Sequence, residues 1–437
     1  MAVVETDTAR SRSLLPIGVA LALTLPGIVL RIADPGASHP IEALLFGVAI
    51  VGAAFLLAWG AEVAQLDISA GLALALLALI AVLPEYAVDF VFAWKAGNAV
   101  EQYGAACHAP GLTSESSCSL ALANMTGANR LLIGVGWAAV VFIAWYRTRR
   151  RGQRLEAITL QRSHSVELAF LALATLYSLT LPLKHSITLI DGAILVAIFV
   201  AYTIRVSKGP AEEPHLVGPS RYLGALPTTR RRVAVVAMFA FSALVILVCA
   251  EHFAEALVAT GQDLGISEFF LVQWLAPLAS EAPELLVAGL FAWRLNTDAG
   301  LGALVSSKVN QWTLLVGTLP VVFAIASGSL HGLPIESNQR EELLLTAAQS
   351  VFAVAVLASL SISVREAWAL FGLFWAQFVI SAAVPDSAHG YELVALSAVY
   401  LALAAWILLR DRGRVRGLLR DGVRTPHREL HGDREAR

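Results

Sequence analysis

Apolar residues in this chain come in blocks of roughly twenty, separated by short polar stretches, and roughly twenty helical residues cross a bilayer. Read with a window of about 19 residues, the first half holds spans at 14–32, 41–64, 68–94, 118–146, 165–184 and 187–205. The second half holds spans at 233–258, 266–293, 299–327, 342–362, 365–385 and 390–409. The pattern predicts an all-α polytopic membrane protein with about twelve transmembrane helices. The first block follows a basic start like a signal peptide, but it is long for one and lacks a convincing small-x-small cleavage site, so it reads as a retained helix.

Composition agrees. Of 437 residues, 57% are hydrophobic and 15% charged, and the mean hydropathy is +0.69. A soluble domain carries closer to a quarter charged residues. The basic residues gather in "RTRRRGQRLEAITLQR" (147–162), in Arg230-Arg231-Arg232, and in "RDRGRVRGLLRDGVR" (410–424). Basic loops stay cytoplasmic, and twelve spans with both termini inside put all three on that side. The plasma membrane is the expected location.

A linker at 206–232 divides the chain. The expected organisation is an extra N-terminal helix over 1–40, a first half over 41–205, the linker, a second half over 233–409 and a basic tail over 410–437. The tail reads as a mobile topology anchor drawn to anionic lipid. Cys249 lies in an apolar run and packs as a small hydrophobe. Cys107 and Cys118 flank a polar loop expected outside, as a disulfide or as free thiols.

Two carboxylates interrupt the third block. In "LPEYAVDFVFAWK" (83–95), Glu85 and Asp89 lie one helical turn apart. "APELLVAGLFAWR" (282–294) repeats Pro-Glu followed by Phe-Ala-Trp and a basic residue. Aligned on Pro84-Glu85 and Pro283-Glu284, the halves share Val88/Val287, Phe92/Phe291, Ala93/Ala292 and Trp94/Trp293. A polar-studded span follows each, "LALANMTGANRLLIGVG" (120–136) and "LGALVSSKVNQWTLLVG" (301–317). The assigned topology sends the Glu85 helix outward and the Glu284 helix inward. The repeats are therefore inverted, a plan in which secondary transporters bind ions near the midplane at the repeat interface.

An ionised carboxylate inside a bilayer costs about 2.5–3.5 kcal/mol on insertion scales. It is tolerable where it neutralises a cation or carries a proton. Glu85 and Glu284 are thus the expected metal-binding centre, which Asp89 and Glu281 widen from neighbouring turns. Asn124, Asn129, Ser306, Ser307, Asn310 and Gln311 supply neutral oxygens, the all-oxygen shell that Ca²⁺ and Na⁺ favour. The plainer use of these small polar residues is helix packing, and that of Trp94 and Trp293 is interfacial anchoring. Glu251, His252 and Glu255 stand apart near the end of the 233–258 span; an access-path role is the less favoured reading, and they are left out of the expected site. Neither a His-Glu-x-x-His nor a Gly-x-Ser-x-Gly motif is present, and no phosphate-binding loop, so neither a hydrolase nor an ATP-driven pump is expected.

These motifs resemble the cation/calcium antiporter superfamily, which includes sodium/calcium and calcium/proton exchangers. Its hallmark is two inverted repeats. Each carries a helix with Gly-Thr-Ser-x-Pro-Glu and a following helix with Gly-Asn-x-x-Gly-Ser-Asn. Here Pro84-Glu85 and Ala282-Pro283-Glu284 match the Pro-Glu, Ser280 fits a hydroxyl position, and "ANMTGAN" (123–129) resembles the second motif with Asn124 and Asn129 in place. The resemblance implies a ten-helix exchanger core, with the helix at 14–32 and one near the C-terminus added.

Two departures matter. Ile80-Ala81-Val82 replace the Gly-Thr-Ser of the first repeat, and Lys308 falls where the family places an asparagine. Lys308 would serve as a built-in cation beside Glu85 or Glu284 and reduce the number of metal ions bound; Arg130 offers a second such cation. The implied activity is exchange of Na⁺ or Ca²⁺ against H⁺ or Na⁺ by alternating access. The alternative is a non-transporting sensor or scaffold on a degenerate exchanger fold. The expected partners are inorganic cations and the lipid bilayer, with no nucleic acid and no cofactor.

Overall fold

A computed structural model describes residues 7–33, 36–67, 83–108, 115–209, 216, 218–383, 389–426 and 429–430. Its helices, in chain order, are α1 (Asp7–Ala33), α2 (His39–Ala64), α3 (Leu83–Tyr103), α4 (Ser117–Leu131), α5 (Ala138–Arg150) and α6 (Ser165–Ser178). There follow α7 (Leu189–Val206), α8 (Pro219–Gly224), α9 (Thr228–Leu264), α10 (Glu268–Trp293), α11 (Thr297–Asn310) and α12 (Val316–Ser327). The chain closes with α13 (Ser337–Leu357), α14 (Val364–Ala383), α15 (His389–Arg410) and α16 (Arg412–Val423). Each expected span therefore contains a helix; the part of the third span at 68–82, with Ile80-Ala81-Val82, lies outside the described residues.

Among the described residues, eight helices are long and apolar enough to cross a membrane. A ninth counts if Glu268–Ala282 and Glu284–Trp293, broken at Pro283, form one span. The expected spans at 342–362 and 365–385 are not among them, nor is that at 68–94, whose first part lies outside the described residues. The first of these owes this to polar residues on α13, where Gln339, Glu342, Thr346, Gln349 and Ser350 are all buried. A helix with a polar face turned into protein spends hydropathy on internal contacts rather than on lipid.

The chain divides into two compact units, one of residues 1–91 and 210–283, the other of 92–209 and 284–437. In the first unit α1, α2 and α9 pack together through small residues, which let backbones approach closely. A Cβ on Gly52 of α2 would lie 2.6 Å from the Ala20 carbonyl oxygen of α1. Below α2, Asp67 receives both Nε and Nη2 of Arg231 at 2.8 Å, a bidentate pair that fixes the start of α9. The helix α9 ends at Gly265, whose φ of 63° suits a left-handed cap.

In the second unit the local signals are as direct. Ser116 caps α4 by accepting from the Ser119 amide at 3.0 Å. Thr188 and Asp191 form a reciprocal capping box on α7. The glycines of "LLIG" and "LLVG" both serve close packing. A Cβ on Gly134 would lie 2.3 Å from the Phe374 ring of α14, and one on Gly317 would lie 3.0 Å from the Gly192 carbonyl of α7.

Two short ribbons amend the all-helical expectation. β1 (Ala157–Thr159) pairs antiparallel with β4 (Ser361–Ser363), and β2 (Ser186–Ile187) pairs with β3 (Leu333–Pro334). Each joins a loop of the first half of the chain to one of the second. The pair left open by the sequence, Cys107 and Cys118, is a disulfide with Cα atoms 5.9 Å apart.

Candidate ion-binding site

The first unit holds the acidic start of α3 and most of α10. Glu85 and Asp89 lie four residues apart, on one helical face, and both are buried. Between them, the Tyr86 ring meets Phe90 edge-on at 5.3 Å. Ser280 and Glu281 of α10 are buried in the same unit. The Ser280 hydroxyl donates to the Ala276 carbonyl at 3.2 Å and the Pro277 carbonyl at 3.3 Å, the back-bonding that hydroxyls make on their own helix. Glu284, beyond Pro283, is half-buried and belongs to the second unit, with Asn124, Asn129, Ser306, Ser307, Lys308 and Asn310.

Within that second unit, Asn129 and Lys308 meet. The Lys308 ammonium donates to Asn129 Oδ1 at 2.6 Å and also to the Asn129 backbone carbonyl. An ammonium only donates, so the oxygen end of the amide faces it. The amide nitrogen points back and donates to the Met125 carbonyl at 2.9 Å. The Trp312 ring, 5.3 Å from Nζ, adds a cation–π contact, and its Nε1 donates to Ser350 Oγ at 2.8 Å. Lys308, singled out in the sequence as a built-in cation, reaches Asn129.

Both motif helices leave α geometry directly after these residues. Leu132–Trp137 follows α4 as a π-helix, and Gln311–Leu315 follows α11 in the same way. Such π segments are rare and recur at functional sites. Asn124, Asn310 and Gln311 are buried in this region. Ser306 faces elsewhere: its Oγ lies 2.9 Å from the Tyr202 hydroxyl of α7, while Ser307 is half-buried.

Arg130, one residue beyond Asn129, points to other partners. Its Nη2 lies 2.7 Å from Glu342 Oε2, and its Nη1 donates to Gln377 Oε1 at 2.9 Å. Gln349 Nε2 completes the cluster by donating to the Arg130 carbonyl at 3.4 Å. Sequence reasoning missed Glu342, Gln349 and Gln377. A signal was available for two of them: Gln339, Glu342, Thr346 and Gln349 recur at three- and four-residue intervals, a polar stripe along one helical face.

The residues set aside in the sequence fall in the first unit. A cavity of about 310 Å³ is lined by Arg31, His39, Glu42, His252 and Glu255. There His39 pairs with Asp263 at 2.6 Å, and the His252 ring stacks on Phe46 at 5.5 Å. Among the described residues no group of three or more His, Cys, Asp or Glu side chains is gathered to hold a metal ion. Amide and carbonyl oxygens of the kind clustered around Asn129 are the other oxygen donors available to a hard cation.

Comparison with known proteins agrees with the motifs. The sequence model of the sodium/calcium exchanger protein family matches residues 40–208 and 234–383. A crystal structure of the H⁺/Ca²⁺ exchanger CAX is similar at 41% identity, over 94% of this chain and 98% of that one, with a TM-score of 0.83. A structure of the Ca²⁺/H⁺ antiporter protein YfkE is similar at 13% identity, over 88% of this chain and 99% of that one, with a TM-score of 0.55. The second likeness concerns the fold alone. No curated protein sequence matches. With most of both halves matched and the CAX likeness spanning nearly the whole chain, this multi-pass membrane protein belongs to the sodium/calcium exchanger family, within the cation/calcium antiporter superfamily.

Proposed function

We propose that the chain is a secondary antiporter that moves Ca²⁺ against H⁺ by alternating access. The observation that carries this reading is the 41% identity to an H⁺/Ca²⁺ exchanger over 94% of the chain. Glu85 and Glu284, one from each repeat, are its proposed ion-binding carboxylates, with Asp89, Glu281, Asn124, Ser307 and Asn310 as further proposed oxygen donors. Proton coupling follows from chemistry: a carboxylate withdrawn from water takes up a proton more readily, so metal and proton compete for one group. Ca²⁺ is preferred to Na⁺ here because the 41% identical relative is an H⁺/Ca²⁺ exchanger, although the sequence reading of Lys308 leaned toward sodium. Two inverted repeats, rocking or sliding to open one shared site to either side, are the proposed machinery. The chain would sit in the plasma membrane with both termini cytoplasmic.

The Lys308–Asn129 contact supports the second reading, a scaffold that no longer transports. Proteoliposome flux separates the two. A proton gradient should drive Ca²⁺ movement by the native chain, and Glu85→Gln and Glu284→Gln should each abolish it. Correctly reconstituted native protein that moves neither Ca²⁺ nor Na⁺ under proton or sodium gradients would sink the antiporter reading. Restored flux in Lys308→Asn would then assign the block to Lys308.

A further inference from the structure

The basic tail, expected to be mobile, is a docked helix over Arg412–Val423. A single residue, Asp411, separates it from α15. Its buried face is Leu418, Asp421 and Gly422. Asp421 accepts from Arg162 Nε at 2.7 Å, and the Thr425 hydroxyl donates to Asp421 Oδ1 at 2.9 Å. Arg205, in the last turn of α7, donates to the Gly422 carbonyl at 3.1 Å and to the Thr425 carbonyl. Gly422 lies so close to the first turn of α6 that a Cβ would stand 2.3 Å from the Ser165 carbonyl oxygen. The helix therefore crosses the ends of three candidate spans, those closing at Arg410 and Val206 and the one opening at Arg162. Span ends lie where lipid headgroups begin. Trp406 marks the same level, 60% exposed, with the Arg410 guanidinium 5.5 Å from its ring.

The opposite face of α16 is of another kind. Arg412, Arg416 and Arg420 recur every fourth residue and are all exposed. Leu419 and Val423 stand beside them, 41% and 57% exposed. Leu419 and Val423 give the arginine face an apolar edge. A helix lying in the interface uses such an edge, because its apolar residues sink below the headgroups while its arginines meet the phosphates.

We propose that α16 is an interfacial helix that binds anionic lipid headgroups through Arg412, Arg416 and Arg420, with Leu419 and Val423 seated at the acyl boundary. Through Asp421 and Gly422 it ties that lipid contact to the first turn of α6 and the last turn of α7. A soluble acidic partner offers similar charge, but the three span ends hold this face at the height of the bilayer surface.

The test is limited trypsin digestion of the full chain in nanodiscs of phosphatidylcholine alone or with phosphatidylglycerol. Cleavage is followed at Arg414 and Arg424 by mass spectrometry. Both membrane faces are open in a nanodisc, so orientation does not matter. Cleavage should be about tenfold slower in the anionic discs, and raised salt should remove the protection. Arg412→Gln, Arg416→Gln and Arg420→Gln together should abolish the lipid difference and leave both reporter sites in place. Asp421→Asn should speed cleavage in either lipid. Equal cleavage of the native chain in both lipids would overturn the proposal. So would unchanged protection in the triple variant, or equal protection by inorganic phosphate added to neutral discs. None of these readouts depends on ion flux, so the result stands apart from the transport reading.

Discussion

At the scale of the residue, Arg130 shows what a buried charge demands. Its side chain is 1% exposed and Glu342 is 9% exposed, so neither ion has much water to return to. Removing one partner of such a pair leaves an uncompensated charge, at a cost of about 3–5 kcal/mol, whereas replacing both with apolar residues is often neutral. Glu342→Ala should therefore lower thermal stability in detergent by that amount, and Arg130→Met combined with Glu342→Leu should recover most of it. Equal losses in the single and double variants would show that the pair contributes no specific coupling. Lys308 differs in kind. Its ammonium donates to the neutral oxygens of Asn129 and lies over the face of Trp312, contacts of the kind a bound cation also makes.

At the scale of the element, helices are placed by a few close approaches and a few charged ties. Gly52 seats α2 on α1, and Gly134 seats the segment after α4 on Phe374. Asp67 ties the end of α2 to the start of α9. The hydrogen bond from Arg231, helped by Arg232, lowers the Asp67 carboxyl to a pKa of about 2 against its desolvation. A carboxyl depressed on folding stabilises the native state at pH values above its unfolded pKa, near 4, and that contribution fades as pH falls through the folded value. The difference in melting temperature between the native chain and Asp67→Asn should thus be constant from pH 7 to about pH 5 and shrink steadily below pH 4. A difference that persists unchanged to pH 2.5 would mean that the tie is not electrostatic. A π segment after each of the two motif helices is the other element-scale feature.

At the scale of the whole molecule, each compact unit takes one segment from either half of the chain. The ribbons β1–β4 and β2–β3 pair loops across the same divide. Charge counting predicts the orientation: cysteines introduced at Gly152 and Gly413 should react with a membrane-impermeant thiol reagent only from the cytoplasmic side, and one at His108 only from outside. Labelling of Gly152→Cys from outside would invert the topology and remove the reason for calling the repeats opposed. The disulfide between Cys107 and Cys118 closes a loop on the side expected to be outside, where thiols oxidise.

The sequence by itself determined the helices and the family, because hydrophobic blocks and caps act through neighbours three or four residues away, and because Pro84-Glu85 and Pro283-Glu284 stand in matched surroundings. Asn129 and Lys308 were both singled out from the chain, but not as partners. Tertiary structure alone decided that they meet, that Arg130 pairs with Glu342, that Ser306 is taken by Tyr202, and that the tail docks. Each of these joins residues far apart in sequence, and no local periodicity encodes which of several buried polar groups will come within hydrogen-bond reach. The choice is made when close-packed helices leave a buried polar group only the partners within its reach, since leaving it unpaired costs more than any local preference.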